Sequence, residues 1–172
     1  MNHDSYSDDY IRGILNSVRS FAIVGASANT VRPSYFVLKY LLDKGYTAIP
    51  VNPGKAGSEI LGQKVYASLR DISGPVDVVD VFRNAQAALG ITKEAIEIGA
   101  KVVWMQLGVR NDEAAGLAEE AGLKVVMNCC PKIEYARLSG EIGWAGVNSR
   151  AISSARPKLA PKGVQHRILR KT

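Results

Sequence analysis

Residues 20–25 read Ser-Phe-Ala-Ile-Val-Gly, and this segment indicates the fold class. Four apolar residues in a row, ended by a glycine, are typical of a short parallel strand that is buried on both faces. The next residues, 26–32, are mostly small or polar, and Pro33 then stands where the first residue of a helix is expected. A buried strand, a loop and a helix in this order predict one β-α unit of a parallel sheet.

The same alternation of apolar runs and helical patterns continues along the chain. Further strands are predicted at 46–51, 76–82, 101–106 and 124–128, with a weaker sixth at 64–66. Helices are predicted at 8–19, 34–44, 85–98 and 112–121. The last three are each followed by a glycine, Gly45, Gly99 and Gly122, where a helix end favours a left-handed residue. Because crossovers between parallel strands are right-handed, we expect an α/β fold: a Rossmann-like, doubly wound, mainly parallel five-stranded sheet with helices on both faces.

Positive charge is concentrated towards residue 172. The chain has 22 Lys and Arg against 16 Asp and Glu, but residues 149–172 hold seven of the cations and no acid. The first 148 residues therefore have 15 cations and 16 acids and are nearly neutral. We expect a single Rossmann-like domain with an N-terminal helix over 1–148 and a basic tail over 149–172. A nucleic-acid binder is disfavoured, because only the tail could neutralise phosphates.

The sequence lacks the signatures of several other classes of protein. Residues 1–10 are polar, and no apolar run approaches the roughly 18 residues of a membrane span, so we expect a cytoplasmic protein without a membrane partner. The histidines, His3 and His166, are expected to be solvated. No zinc, nucleophile-elbow or P-loop pattern is present, so we assign no catalytic and no metal-binding residue. Catalysis is therefore unsupported by the sequence.

Two acids of the third predicted strand, Asp77 and Asp80, do not form a catalytic pair. Their spacing is odd, so they face opposite sides of the sheet. We expect Asp80 to face a helix and to cap it.

The loop after the first strand has the composition of an anion site. Pro33 predicts a helix start whose free N–H groups face the loop, and helix N-termini attract negative charge. Hydroxyls are offered by Ser27, Thr30 and Ser34, and Arg32 adds a charge with a planar fork suited to phosphate. The alternative is a plain strand-to-helix turn with an exposed arginine.

A nicotinamide dinucleotide does not fit this loop. The motif G-x-G-x-x-G would need glycine at three positions, which here hold Gly25, Ser27 and Thr30. The second strand is followed by Asn52 rather than by the acid that holds a free ribose. A neutral residue there suits a nucleotide whose ribose is phosphorylated, because a carboxylate would repel that phosphate.

Five segments in order carry a family resemblance. They are 22–27 (Ala-Ile-Val-Gly-Ala-Ser), 32–35 (Arg-Pro-Ser-Tyr), 45–53 (Gly-Tyr, then Pro-Val-Asn-Pro), 78–83 (Val-Val-Asp-Val-Phe-Arg) and 104–108 (Trp-Met-Gln-Leu-Gly). Together they resemble the small stand-alone CoA-binding proteins, a family similar to the CoA-binding domain of succinyl-CoA synthetase α subunits. The resemblance extends from about residue 10 to residue 154. It implies a Rossmann-like domain that holds coenzyme A (CoA), or an acyl-CoA, across the strand ends.

The resemblance also implies a set of cofactor-binding residues. Those expected at the phosphates are Gly25, Ala26, Ser27, Arg32 and Ser34. Those expected beside the adenosine are Val51, Asn52 and Pro53. Those expected to border the adenine or the pantetheine arm are Val81, Phe82 and Arg83, with Gln106 and Gly108 on the floor of the site. For Gln106, a polar cap on a strand end is an equal alternative.

The last family motif is changed in this chain. It has an arginine followed by a cysteine, whereas residues 128–130 read Asn-Cys-Cys, so Cys129 replaces the arginine and Cys130 matches the cysteine. A thiol beside bound CoA could form a mixed disulfide with it, which makes Cys130 a candidate redox thiol. A small buried hydrophobic residue is the alternative.

Three functions remain open at this point. The first is a non-catalytic CoA-binding or acyl-CoA-binding carrier, sensor or regulator. The second is an enzyme or subunit that acts on acyl-CoA with a separate partner. The third, an NAD(P) oxidoreductase or a nucleic-acid binder, fits less well. A homodimer through the N-terminal helix or the region of Trp144 is a further expectation.

Overall fold

The computed structural model describes residues 1–141. These residues belong to two compact units, Val18–Cys130 and Met1–Ser17 with the residues from Pro131 onward. The basic tail, Trp144 and His166 lie outside the described residues. The domain boundary at 148 stays a prediction.

The larger unit contains a five-stranded parallel sheet. The strands along the chain are β1 (Ser20–Val24), β2 (Thr47–Val51), β3 (Glu59–Ile60), β4 (Gln63–Lys64), β5 (Val78–Val81), β6 (Val102–Met105) and β7 (Lys124–Val126). The order in the sheet is β2-β1-β5-β6-β7, while β3 and β4 form a short antiparallel hairpin. The five predicted strands are confirmed with slightly shorter bounds. The weak sixth run contributes β4, and its last residue, Tyr66, forms an isolated bridge with Val51.

The helices are α1 (Asp8–Ser17), α2 (Pro33–Asp43), α3 (Ala85–Glu97), α4 (Asp112–Glu120) and α5 (Pro131–Ser139). The three predicted terminating glycines have φ of +83°, +70° and +83° in chain order, as a helix end in the left-handed region requires. The helix α5 was not predicted from the sequence. Its signal is Pro131, which occupies the first helical position, where a proline is favoured.

Strand order places the helices of this unit on two faces of the sheet. In the sheet, β2 lies outward of β1 on one side, whereas β6 and then β7 lie outward of β5 on the other side. Because both kinds of crossover are right-handed, α2 covers one face and α3 and α4 cover the opposite face. On the second face, Ala22, Val79 and Val103 pack with alanines of α3 and α4 in one buried cluster. The doubly wound architecture is therefore confirmed.

Asp77 organises the amino edge of the sheet. Its carboxylate accepts hydrogen bonds from the backbone N–H of Arg19 (2.6 Å) and of Ser20 (3.2 Å), and it lies 2.7 Å from the Lys101 ammonium. Burial alone would raise the pKa of Asp77, but these three donors outweigh it and hold the pKa below its ordinary value. The acid therefore stabilises the fold as an anion.

Asp80 does not cap a helix, contrary to the expectation. It is fully buried in β5, and both its oxygens accept from the side-chain nitrogen of Gln106, at 2.9 and 3.0 Å. Burial raises the pKa of Asp80 to about 8, although the hydrogen bond from Gln106 opposes this. Because the flanking strands β1 and β6 enclose Asp80, its hydrogen bonds come from Gln106 at the end of β6 rather than from a helix.

The smaller unit contains α1 and α5, and an ion pair joins them. Arg137 lies 2.7 Å from Asp8 and 2.7 Å from Glu134. His3 belongs to this unit and is only 9 % exposed, with Nδ1 2.9 Å from the Tyr6 hydroxyl. The expectation that His3 is solvated was therefore wrong, because local contacts with aromatic residues bury it.

Replacing Thr92 with valine should stabilise the protein. Thr92 is fully buried on α3, and its hydroxyl has no hydrogen-bond partner within residues 1–141. Thr92→Val keeps the shape and removes an unsatisfied polar group, so the free energy of unfolding should rise by about 1 kcal/mol. Urea unfolding measures this change. The exposed Thr47→Val is the control, within about 0.5 kcal/mol of wild type, and a destabilised Thr92→Val would contradict the assignment.

Stability should fall as pH rises from 5 to 8. An unfolded aspartate loses its proton near about 3.9, whereas folded Asp80 keeps it to about 8. Within this window the folded state binds one more proton, so the free energy of unfolding decreases with pH. Asp80→Asn should flatten the decrease, as measured by unfolding curves at several pH values. Parallel pH curves for the two proteins would refute the role of Asp80.

Candidate ligand-binding site

The strand order changes direction between β1 and β5, which places a topological switch point at the carboxyl edge of the sheet. Connections leave these two adjacent strands towards opposite faces of the sheet. Open parallel sheets bind ligands at such a switch point, outside the carboxyl ends of the strands. The first predicted loop lies there.

Gly25 is required by the close approach of β5. It has φ of +95°, and a Cβ atom there would lie 2.8 Å from the carbonyl oxygen of Phe82 and 3.1 Å from Cδ of Arg83. Its N–H donates to the Val51 carbonyl at 2.9 Å. Gly25 therefore brings the first loop close to the ends of both neighbouring strands, as only a glycine can.

Short local turns build the first loop and present the helix start. The Ser27 hydroxyl accepts from the N–H of Asn29 at 3.2 Å, and the Asn29 side chain accepts from the N–H of Val31 at 3.0 Å. Arg32 is the N-cap of α2, and its side chain does not cap the helix. Its guanidinium group is exposed, whereas Ser34 in the first turn is buried. The N-cap side chain therefore makes no hydrogen bond to the first N–H groups of α2.

Asn52 links the second strand end to the first loop. Its side-chain nitrogen donates to the Ala26 carbonyl at 2.8 Å, and its oxygen accepts from the N–H of Gly54 at 2.9 Å. The latter bond starts a short 3-10 turn, Pro53–Lys55, which ends in an exposed lysine. Asn52 thus holds the loops together. Sequence reasoning missed Lys55, a cation at the same edge.

The third group of predicted residues follows β5. The Val81 side chain is buried in the apolar cluster beneath α3 and α4, so only its backbone is available at the edge. Phe82 is half-buried, and Arg83 is exposed. The N–H of Phe82 donates to the Val24 carbonyl at 2.8 Å, which keeps the two strand ends together.

Gln106 and Gly108 form a fixed turn after β6. The N–H of Gln106 donates to the Val81 carbonyl at 3.3 Å, and its carbonyl accepts from the N–H of Val109 at 2.8 Å. Gly108 has φ of +78° and donates to the side chain of Asn128 at 2.8 Å. The Gln106 side chain caps the buried Asp80, in line with the polar-cap alternative, and it also lies at the edge.

Three further asparagines organise this edge, and sequence reasoning did not identify them. Asn84 and Asn111 cap α3 and α4, and Asn111 also donates to the Ala85 carbonyl at 2.8 Å. Asn128 adopts a φ of +54° while it accepts from Gly108. An asparagine after a strand was the available signal, because this residue favours caps and left-handed turns.

The predicted cofactor-binding residues lie at the ends of β1, β2, β5 and β6 or in the loops that follow them, and the structure brings these loops to one edge. Ala26, Val51 and Val81 have buried side chains and can offer only backbone there. Cys130 follows β7 and is 7 % exposed, while Cys129 is half-buried. The Cys129 carbonyl accepts from the indole of Trp104 at 3.0 Å, and the redox role of Cys130 remains a prediction.

Residues 1–141 lack the features of two alternative kinds of site. No helix there has both the length and the apolar character needed to cross a membrane. Within the same range, no cluster of three or more His, Cys, Asp or Glu side chains is placed to hold a metal ion.

Comparison with known proteins identifies one family. The family model described as "CoA binding domain" matches residues 19–136. The uncharacterized protein YneT of Bacillus subtilis (strain 168) is 40 % identical over 126 residues, which cover 73 % of this chain and 92 % of YneT. The residues that the family model matches include all five strands of the parallel sheet.

Two further relatives extend the comparison. A solved structure, a hypothetical protein from Pyrococcus horikoshii OT3, has a TM-score of 0.76 at 42 % identity and covers 81 % of this chain and 97 % of that one. The α subunit of acetate–CoA ligase (ADP-forming) I from Pyrococcus furiosus is 34 % identical over 89 residues, 49 % of this chain but only 19 % of the subunit. The sheet, the edge loops and these matches agree, and the chain belongs to the CoA-binding domain family.

Proposed function

We propose that this protein binds CoA at the carboxyl edge of its sheet, as a carrier, sensor or regulator rather than as a complete enzyme. One observation carries the proposal: Gly25 has no room for a side chain, and it lies where the first loop, β2 and β5 meet. A ligand that lies across this edge can approach the backbone of the loop closely. Membership of the family supports CoA as that ligand.

The charges at the edge match the phosphates of CoA. The start of α2 offers partial positive charge, and the exposed Arg32 precedes it by one residue. Arg83 after β5 and Lys55 after β2 are also exposed cations at this edge. A diphosphate over the first loop and a ribose phosphate near Lys55 would each meet a cation.

The absence of an acid after β2 supports CoA over a nicotinamide dinucleotide. Asn52 occupies that position, and its side chain is bonded to Ala26 and Gly54. A ribose with unmodified hydroxyl groups would therefore find no carboxylate to accept its hydrogen bonds here. A ribose phosphate would not be repelled.

An enzyme completed by a partner chain is the second candidate function. The relative from Pyrococcus furiosus is named as the α subunit of a ligase, and this chain covers only 19 % of it. Turnover of an acyl-CoA only after a partner is added would favour this candidate. The acyl form, the homodimer and the cytoplasmic location stay predictions.

Titration calorimetry on the purified, nucleotide-stripped protein tests the proposal. We expect micromolar binding of CoA and no measurable binding of NAD, because the edge offers cations for phosphates and no acid for a free ribose. Absence of CoA binding would mean that the first loop is only a structural turn.

Arg32→Ala should weaken CoA binding. A charge-assisted hydrogen bond from arginine to phosphate contributes about 1 to 3 kcal/mol, and the exposed side chain has no capping role in the fold. The same titration measures the loss. Lys93→Ala, which removes an exposed cation from α3, is the control and should keep wild-type affinity. Equal affinities for the Arg32 variant and wild type would remove this residue from the site.

A further inference from the structure

Two arginines at the carboxyl edge differ from the other arginines of residues 1–141. The others each bond through the guanidinium group to an acid or to a backbone carbonyl: Arg12, Arg19, Arg70, Arg110 and Arg137. Within the same range, Arg32 and Arg83 make no hydrogen bond or ion pair through this group. Both side chains are exposed, so they can bind an anionic ligand without first breaking an ion pair.

The local sequence explains why Arg83 is unpaired. Arg83 and Arg110 each stand directly before the asparagine that caps the next helix, α3 or α4. On α4 the residue after that asparagine is Asp112, which lies 2.9 Å from Arg110. On α3 the corresponding residue is Ala85, so Arg83 has no acid at this position.

The Arg83 side chain lies against Gly25, where the first loop begins. Its Cδ is 3.1 Å from the position that a Cβ of Gly25 would occupy. The missing side chain of Gly25 therefore leaves room for the apolar stem of Arg83, and the guanidinium group begins at the atom bonded to Cδ. Arg32 ends the same loop, because α2 begins at Pro33. The two arginines thus stand at the start and at the end of this loop.

Strand order places the two arginines on different sides of β1. Arg32 precedes α2, which connects β1 to β2, whereas Arg83 follows β5 on the other side of β1. Adjacent strands lie about 4.8 Å apart, so groups at neighbouring strand ends can contact neighbouring groups of one ligand. The segments 25–32 and 82–84 contain no acid that would repel an anion.

A diphosphate suits two separate arginines better than a single phosphate does. Each of its two phosphate groups is negatively charged, and each guanidinium group has a planar fork of donors that fits one phosphate group. In CoA, one of these phosphate groups is bonded to the adenosine and the other to the pantetheine arm. Because the adenosine is expected beside the end of β2, the second phosphate group falls on the β5 side.

We propose that Arg83 binds the phosphate group on the pantetheine side of the CoA diphosphate, while Arg32 binds the phosphate group on the adenosine side. This inference rests on the proposed function. It assigns Arg83 to the diphosphate instead of to the adenine or the arm, which the family resemblance implies. The site then prefers nucleotides with a diphosphate to nucleotides with a single 5′-phosphate.

Titration calorimetry with three ligands tests the assignment. The ligands are CoA, dephospho-CoA, which keeps the diphosphate but lacks the ribose 3′-phosphate, and adenosine 3′,5′-bisphosphate, which has a single 5′-phosphate and no arm. Arg83→Met keeps an apolar stem beside Gly25 and removes the charge. We expect the affinities for CoA and dephospho-CoA to fall about 10-fold each, as for the loss of a charge-assisted hydrogen bond. The affinity for the bisphosphate should stay within about twofold.

Arg110→Met is the matched control. Arg110 has the same position before a helix cap but is paired with Asp112, so its loss should leave all three affinities within about twofold of wild type. Arg32→Ala should weaken all three ligands, because each has a phosphate group on the adenosine side. An Arg83→Met variant that keeps wild-type affinity for CoA, or that loses the same factor for all three ligands, would overturn the inference. Unfolding curves check that each variant is folded.

Wild-type protein provides a second readout. The NMR signal of the Arg83 Nε–H group should shift with CoA and with dephospho-CoA and not with the bisphosphate. If wild type binds CoA but this signal does not move, the inference fails and the proposed function stands. If wild type binds neither CoA nor dephospho-CoA, the proposed function itself fails.

Discussion

The close approach of β1 and β5 at Gly25 sets the arrangement of the loops at the carboxyl edge. A side chain there would collide with the Phe82 carbonyl, and the φ of +95° favours glycine. Because glycine has no side chain, the Phe82 backbone can approach this closely, so the N–H of Gly25 bonds to Val51 of β2 while the N–H of Phe82 bonds back to Val24 of β1. Three strand ends thus meet at the point where the strand order changes direction, and the first loop can open towards a ligand.

Asparagine side chains then hold the edge around this point. Asn52 connects the loop after β2 to the loop after β1, and Asn128 connects the turn after β6 to the end of β7. Asn111 connects the starts of α4 and α3. Neutral amides can both donate and accept, so they bond backbone groups of both kinds without adding charge. The loops at the edge are therefore joined without the addition of charged groups.

The two buried acids of the sheet show how position sets chemistry. Asp77 at the amino edge receives two backbone donors and a lysine, so its pKa is lowered and it stabilises the fold as an anion. Asp80, three residues later and near the carboxyl edge, receives one amide group, and burial raises its pKa to about 8. The first acid stabilises the fold as an anion, whereas the second keeps its proton at neutral pH and bonds to the Gln106 side chain.

The sequence by itself determined the fold class, because burial on both faces leaves long apolar runs, and glycines after helices mark where they end. It also predicted the first loop as an anion site, since Pro33 and Arg32 act locally. The tertiary structure alone decided that β1 and β5 are neighbours, that Asn52 bonds to Ala26, and that Asp80 meets Gln106 instead of a helix. Each of these contacts joins residues that lie more than 20 positions apart, and no local periodicity encodes which strands become neighbours.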